Sequence, residues 1–132
     1  MQTVRAVVSR DPDACWRAFT DPATLGAWVP GLRKARVISL DASELPLEIL
    51  FEFGPSLTYS LVYTYDAAAR EVTWQPRTGR HDAVAGFARF DAVDGGTQIT
   101  YGLAHGDGRS PSETALGDIA ALVASFARWI GR

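Results

Sequence analysis

The chain contains one cysteine, Cys15, so no intramolecular disulfide can close, and a zinc site would lack its usual thiolates. Its one lysine, Lys34, sits in a charged segment between Arg33 and Arg36. With no Gly-x-Ser-x-Gly either, covalent catalysis has no visible nucleophile. Basic charge is also short. Thirteen Lys and Arg face fifteen Asp and Glu, a net charge of −2, which leaves no surplus for the phosphate contacts that dominate nucleic-acid binding. Long apolar runs are missing as well, since Leu45 to Phe53 is interrupted by Glu48 and Glu52. That falls far short of the roughly 18 to 20 residues a membrane-crossing helix needs, so no stable membrane insertion is expected. Met1 leads directly into the alternating segment Thr3–Val8, without the basic and apolar regions of a secretory leader. The chain therefore reads as cytoplasmic.

What is present is a globular composition: 132 residues, 47% hydrophobic and 21% charged. A chain of this size buries roughly two-thirds of its surface on folding, and no repeat or linker divides it. A single domain over residues 1–132 is expected. Gln2–Ser9 alternates as a strand, and Asp11-Pro12-Asp13 then supplies an N-cap, a proline at the first helical position and an early acid. A short helix to about Thr20 follows. Asp21-Pro22 opens a second, which ends near Trp28 because Pro30 and Gly31 cannot continue it.

From Arg33 the apolar period changes to two, which predicts strands at 33–40, 46–53, 57–65, 70–75, 83–92 and 97–105 in an antiparallel meander. A two-residue Asp94-Gly95 turn pairs Phe90 with Ile99, Ala88 with Tyr101 and Gly86 with Leu103, leaving Arg89 on the other face. A three-residue loop at Gly54–Ser56 sets Phe53 against Leu57, Phe51 against Tyr59 and Ile49 against Leu61. A four-residue loop at Asp66–Ala69 sets Tyr63 against Val72 and Leu61 against Trp74. Apolar side chains then share one face. Ser110-Pro111-Ser112-Glu113 matches a capping box, and Leu116, Ile119, Val123, Phe126 and Ile130 form a stripe on a helix reaching Ile130. That stripe must lie on the sheet. The fold class is α+β: a curved antiparallel sheet of about seven strands wrapped around a C-terminal helix, with two short helices after the first strand.

This order, together with Asp11-Pro12-Asp13-Ala14-Cys15-Trp16, Thr20-Asp21-Pro22 with Leu25 and Trp28, and Gly95-Gly96-Thr97, resembles the START-like or SRPBCC superfamily of helix-grip proteins. Within it, the small bacterial polyketide cyclase/dehydrase and lipid-transport-like members are the most similar. The resemblance implies a cavity between sheet and helix for an apolar small molecule such as a lipid, quinone or polyketide, with no cofactor. It implies Trp28 at the cavity mouth. A C-terminal helix of roughly five turns, shorter than many relatives carry, implies a smaller or more open cavity.

The deduced face carries Phe51, Phe53, Tyr59, Tyr63, Trp74, Phe90 and Tyr101, which with Trp28 and Phe126 are the candidate ligand contacts. The same rings also suit a plain packed core. Tyr101 and His105 share the parity of that face and are the candidate catalytic pair, a phenol donor and a group that titrates near neutrality. His81-Asp82 reads as a surface turn. No spacing gathers the three or four ligands of a metal site, so none is expected.

Three functions are open at this point. The first is binding of an apolar ligand; the second is a cofactor-free cyclase or dehydrase that folds a poly-carbonyl chain. The third is a protein-interaction module with a filled core. A dry cavity above roughly 300 Å³ favours the first two. Monomer and homodimer are equally compatible with the sequence, Trp129 lying off the main helical stripe.

Overall fold

In the computed structural model, residues 2–54, 57–77, 85–103 and 119–131 are described. Strand β1 (Gln2–Val8) leads into helix α1 (Pro12–Thr20), where the Asp11 carboxylate accepts the Ala14 N–H at 2.8 Å and Pro12 occupies the first turn. Asp21 repeats the device, accepting from Ala23 N–H at 3.0 Å. The second helical stretch is less regular than the sequence predicts. It splits into a 3-10 turn at Pro22–Thr24 and a single helical turn, α2 (Leu25–Trp28).

Six strands follow: β2 (Lys34–Leu40), β3 (Pro46–Gly54), β4 (Leu57–Asp66), β5 (Glu71–Pro76), β6 (Gly86–Val93) and β7 (Gly96–Leu103). The last element is helix α3, described over Ile119–Ile130. Its expected capping box at 110–113 lies outside the described residues, as do His81 and His105. The seven strands form one antiparallel sheet in the order β1-β7-β6-β5-β4-β3-β2, so a six-strand meander is completed by β1 along its β7 side. No described helix is long and apolar enough to cross a membrane.

The register follows turn chemistry. Across Asp94-Gly95, with Gly95 at φ +82°, Phe90 pairs with Ile99, Ala88 with Tyr101 and Gly86 with Leu103, as expected. Phe51–Tyr59 and Ile49–Leu61 also pair as expected, but an irregularity beyond Glu52 places Leu57 opposite Gly54 instead of Phe53. The β4–β5 hairpin requires a larger correction. Tyr63 faces Trp74 and Tyr65 faces Val72, two residues away from the predicted pairing. The Asp66 carboxylate accepts the Ala69 N–H at 3.1 Å, so Asp66 stays in the strand opposite Glu71 and the loop becomes 67–70, closed by Arg70 at φ +50°. Because both flanks move by one residue, every side chain keeps its face.

The concave face is covered by helices. Helix α1 packs on β6 and β7, α3 on β1, and α2 on α3 and β2. The Ser125 hydroxyl donates to the Trp28 carbonyl at 2.6 Å, fixing α2 to α3, and Arg10 Nη1 donates to the Ile130 carbonyl at 3.2 Å. Ile119, Leu122, Val123, Phe126 and Ile130 are the buried side of α3, which extends the predicted stripe by Leu122. Cys15 is fully buried, and burial pushes its thiol above its ordinary range, so it stays a protonated packing group.

Candidate functional site

The rings of the concave face arise from period-two strands whose inward positions are aromatic, and they meet in rows. Phe51 and Phe53 on β3 each stack on Tyr59 of β4, with centroids 5.7 Å apart. Tyr65, Tyr63, Trp74 and Tyr101 form a second row across β4, β5 and β7, with successive centroids 6.1, 6.0 and 5.3 Å apart. Such contacts contribute about 0.5–1.5 kcal/mol each beyond the area they bury.

Between these rows and the helices lies a cavity of about 70 Å³. Six of the candidate contacts on the sheet line it: Phe51, Phe53, Tyr59, Tyr63, Trp74 and Tyr101. From the helical side come Trp28, Phe19 and Leu122. Ile49, Leu61, Val72 and Leu103 supply aliphatic wall, and half-buried Thr20, Pro22 and Val29 stand where the lining approaches solvent. Phe90 and Phe126 lie outside the lining, in the packed interior, at 0% and 2% exposure. The volume lies well below the roughly 300 Å³ of a preformed drug-sized site. It is also smaller than the ~150 Å³ of a dry cavity that accepts benzene. The interior is thus neither wide open nor filled.

Trp28, expected at the mouth, is instead 5% exposed and clasped between Phe19 and Phe126, with centroids at 5.4 and 4.9 Å. Phe19 is the residue that sequence reasoning missed. Its ring touches Trp28, Trp74, Phe90 and Phe126, joining the packed core to the cavity wall. The available signal was its i, i+4 spacing from buried Cys15 on α1.

The cavity is electrically quiet. No described lining residue carries a formal charge, and the polar groups among them are phenols, an indole pair and Thr20, whose hydroxyl donates to the Trp16 carbonyl at 2.8 Å. Tyr65 donates to the Pro46 carbonyl at 2.6 Å. The Tyr63 and Tyr101 hydroxyls have no hydrogen bond among the described residues. Burial, followed by neighbouring phenols, pushes Tyr63 well above its ordinary range although part of its surface stays exposed. Burial and then Tyr59 raise Tyr101 in the same way. Both therefore stay protonated at neutral pH, as donors and not as bases. They can hydrogen-bond a carbonyl or an enolate-like oxygen. The Tyr101–His105 pair lies partly outside the described residues, and among the described lining residues no side chain is a general base. No group of three or more His, Cys, Asp and Glu side chains gathers among the described residues.

No family model matches this sequence, and no curated protein matches it. Solved structures do. A START superfamily protein from Mycobacterium smegmatis aligns with a TM-score of 0.74 at 9% identity, over 98% of this chain and 95% of that one. The Zhui aromatase/cyclase from Streptomyces sp. R1128 aligns at 0.64 and 16% identity, over 96% and 86%. The di-domain ARO/CYC StfQ from the steffimycin biosynthetic pathway aligns at 0.69 and 14% identity, over all of this chain and 45% of that one. At these identities the likeness establishes the fold, which is START-like, the helix-grip architecture of α+β class.

Proposed function

We propose that this chain binds an apolar small molecule between its sheet and its C-terminal helix. The observation that carries this reading is the aromatic-lined cavity, which has no charged side chain among its described lining residues. A plain core fills such space. At about 70 Å³ the space present holds only the beginning of a ligand, so binding requires lining side chains to move aside. The half-buried rings Phe53, Tyr63 and Tyr65 are the ones with room to do so. Burial of apolar ligand surface, at about 25 cal/mol per Å², supplies the driving force, and the phenols orient the ligand's oxygen atoms.

A second reading is favoured by the fold likeness to two proteins described as aromatase/cyclases: cofactor-free cyclisation of a poly-carbonyl chain. In that reading cavity shape folds the chain and Tyr101 donates a hydrogen bond to the developing oxyanion. Binding ranks first because the described lining offers donors and no base.

Native mass spectrometry of gently purified protein, followed by organic extraction, tests the binding reading. A stoichiometric apolar adduct is expected. A clean apo mass, persisting when the protein is made in its own host, overturns tight binding and leaves a transiently bound substrate or an interaction module.

A further inference from the structure

The sheet is open, and its two edges are finished differently. On β2, Lys34 and Arg36 are exposed, and the pairing with β3 shifts register between Val37 and Ser39 and again between Ser39 and Leu40. Exposed charge and bulges are devices that keep an edge from pairing with another chain. Strand β1 carries little of either. Its rungs with β7 run from Gln2–Leu103 to Val8–Thr97 without irregularity, it holds no proline, and Arg5 is its one charge. Val7 is 64% exposed, the highest value among the described large hydrophobic side chains.

The backbone of β1 also has a free side. A Cβ added to Gly96 would meet the Val8 carbonyl, so that group is turned onto β7. Successive residues of an antiparallel strand turn their N–H and C=O groups to opposite sides. Thr3, Arg5 and Val7 therefore present theirs to the open edge, where no described residue bonds them. Their side chains form the exposed row of the strand, while Val4 and Ala6 pack against the core and Val8 is buried. The edge is thus held straight from behind and left unpaired in front.

We propose that β1 is the contact between two copies of this chain, the two strands running antiparallel about a two-fold axis at Ala6. A two-fold axis sets a strand opposite its own reverse, and registers that keep each face together differ by two residues. An axis at Arg5 would put that guanidinium directly opposite its counterpart, a like-charge pair. An axis at Val4 would leave Val7 beyond the described strand of the other copy. With the axis at Ala6, Arg5 stands opposite the partner's Val7, both with outward-facing backbone, so each such pair exchanges both N–H···O bonds. The aliphatic stem of Arg5 then covers Val7, and Val4 meets the partner's Val8. Leu103, where the chain leaves the described residues, lies at the other end of β1, opposite Gln2. A ladder this short belongs to the small class of interfaces, so association is weak and concentration-dependent. The contact does not depend on what the cavity holds.

Sedimentation velocity of the whole protein, from micromolar to millimolar concentration, tests this. A reversible monomer–dimer equilibrium is expected. Val7→Glu sets a carboxylate opposite Arg5 at both symmetric positions, and Val7→Lys sets an ammonium there. At low salt the Glu variant should dimerise more tightly than the Lys variant by roughly tenfold or more. Net charge opposes that order, because the chain carries −2 and a further acid raises the repulsion between copies. The order therefore reports the pairing itself. Far-UV circular dichroism checks that both variants fold. Hydrogen exchange supplies a readout without any variant: the Arg5 and Val7 amides should gain protection as wild-type concentration rises. A chain that stays monomeric at millimolar concentration overturns the proposal and leaves the edge to an extended segment of another protein. A dimer that forms equally well with Glu and Lys, or whose new protection falls on β2 or a helix surface, overturns it too.

Discussion

One sheet face ends in two different ways. Over β6, β7 and β1, covered by α1 and α3, Ala88 and Phe90 are fully buried, Ile99 is 2% exposed, and Phe126 and Val123 close over them. Over β3, β4 and β5 the same face carries half-buried Phe53, Tyr63 and Tyr65 beside a cavity. Both halves are aromatic and share one parity. Among the described residues the difference lies in the cover: two multi-turn helices on one side, and on the other the end of α1 at Phe19 and Thr20, the short Pro22–Trp28 stretch and Leu122. Aromatic content thus does not distinguish core from binding wall. Whether a second layer reaches the rings does.

Substitutions should separate the two halves. Phe90→Ala removes a ring that contacts Trp16, Phe19 and Phe126 and should cost about 3–5 kcal/mol in denaturant unfolding. A loss under about 1 kcal/mol would show the packed half to be as loose as the other. Gly86→Ala probes the border. An added Cβ would stand 2.5 Å from the Gly102 carbonyl oxygen and 2.8 Å from Trp74 Cζ2, so a loss of about 1–3 kcal/mol is expected. A shifted Trp74 should weaken ligand binding in the cavity as well.

The phenols give the next contrast, through pH. Tyr63 and Tyr101 are held above their ordinary value of 10.0 in the folded chain, so the unfolded chain releases protons that the folded chain keeps. Their contribution is complete below pH 10 and declines as pH rises beyond it, by about 1.4 kcal/mol per pH unit for each phenol. Urea midpoints measured from about pH 8 upward should begin to fall past pH 9, where the buried Cys15 thiol enters, and more steeply past pH 10, where the phenols follow. A flat profile would mean these hydroxyls are open to water. The smallest effect is expected for Tyr63→Phe, which deletes a hydroxyl with no described partner and should leave stability within about 1 kcal/mol.

The architecture was legible because its signals are local. Asp11-Pro12 and Asp21-Pro22 are caps, Asp94-Gly95 sets a register, and alternation fixes a face. The β4–β5 register was not, because the sequence does not reveal whether Asp66 ends a strand or begins a loop; one carboxylate-to-amide bond decides it. The facing parity of Phe51, Tyr59, Tyr63, Trp74 and Tyr101 was visible. Which of the rings border empty space was not, since that depends on how far α1 and α2 bring Phe19 and Trp28 over the sheet. Phe90 and Tyr101 sit on adjacent strands with the same parity, yet one is sealed at 0% exposure and the other lines the cavity. No property of the two residue types foretells this.

The pairing of β1 with β7 bears on how the chain reaches this state. Gln2 lies opposite Leu103 and Val8 opposite Thr97, so the first strand meets its one sheet partner among the described residues after nearly a hundred residues have been synthesised. Every other strand pairs with its immediate neighbour in sequence. The hairpins that build the cavity wall are low in contact order and can assemble early, whereas the β1–β7 ladder carries the large loop-closure cost that slows folding. Gly96, where an added Cβ would strike the Val8 carbonyl, is the point at which that late docking has least tolerance. The β1 ladder, at the edge of the better-packed half, is therefore the part of the sheet that waits longest to form.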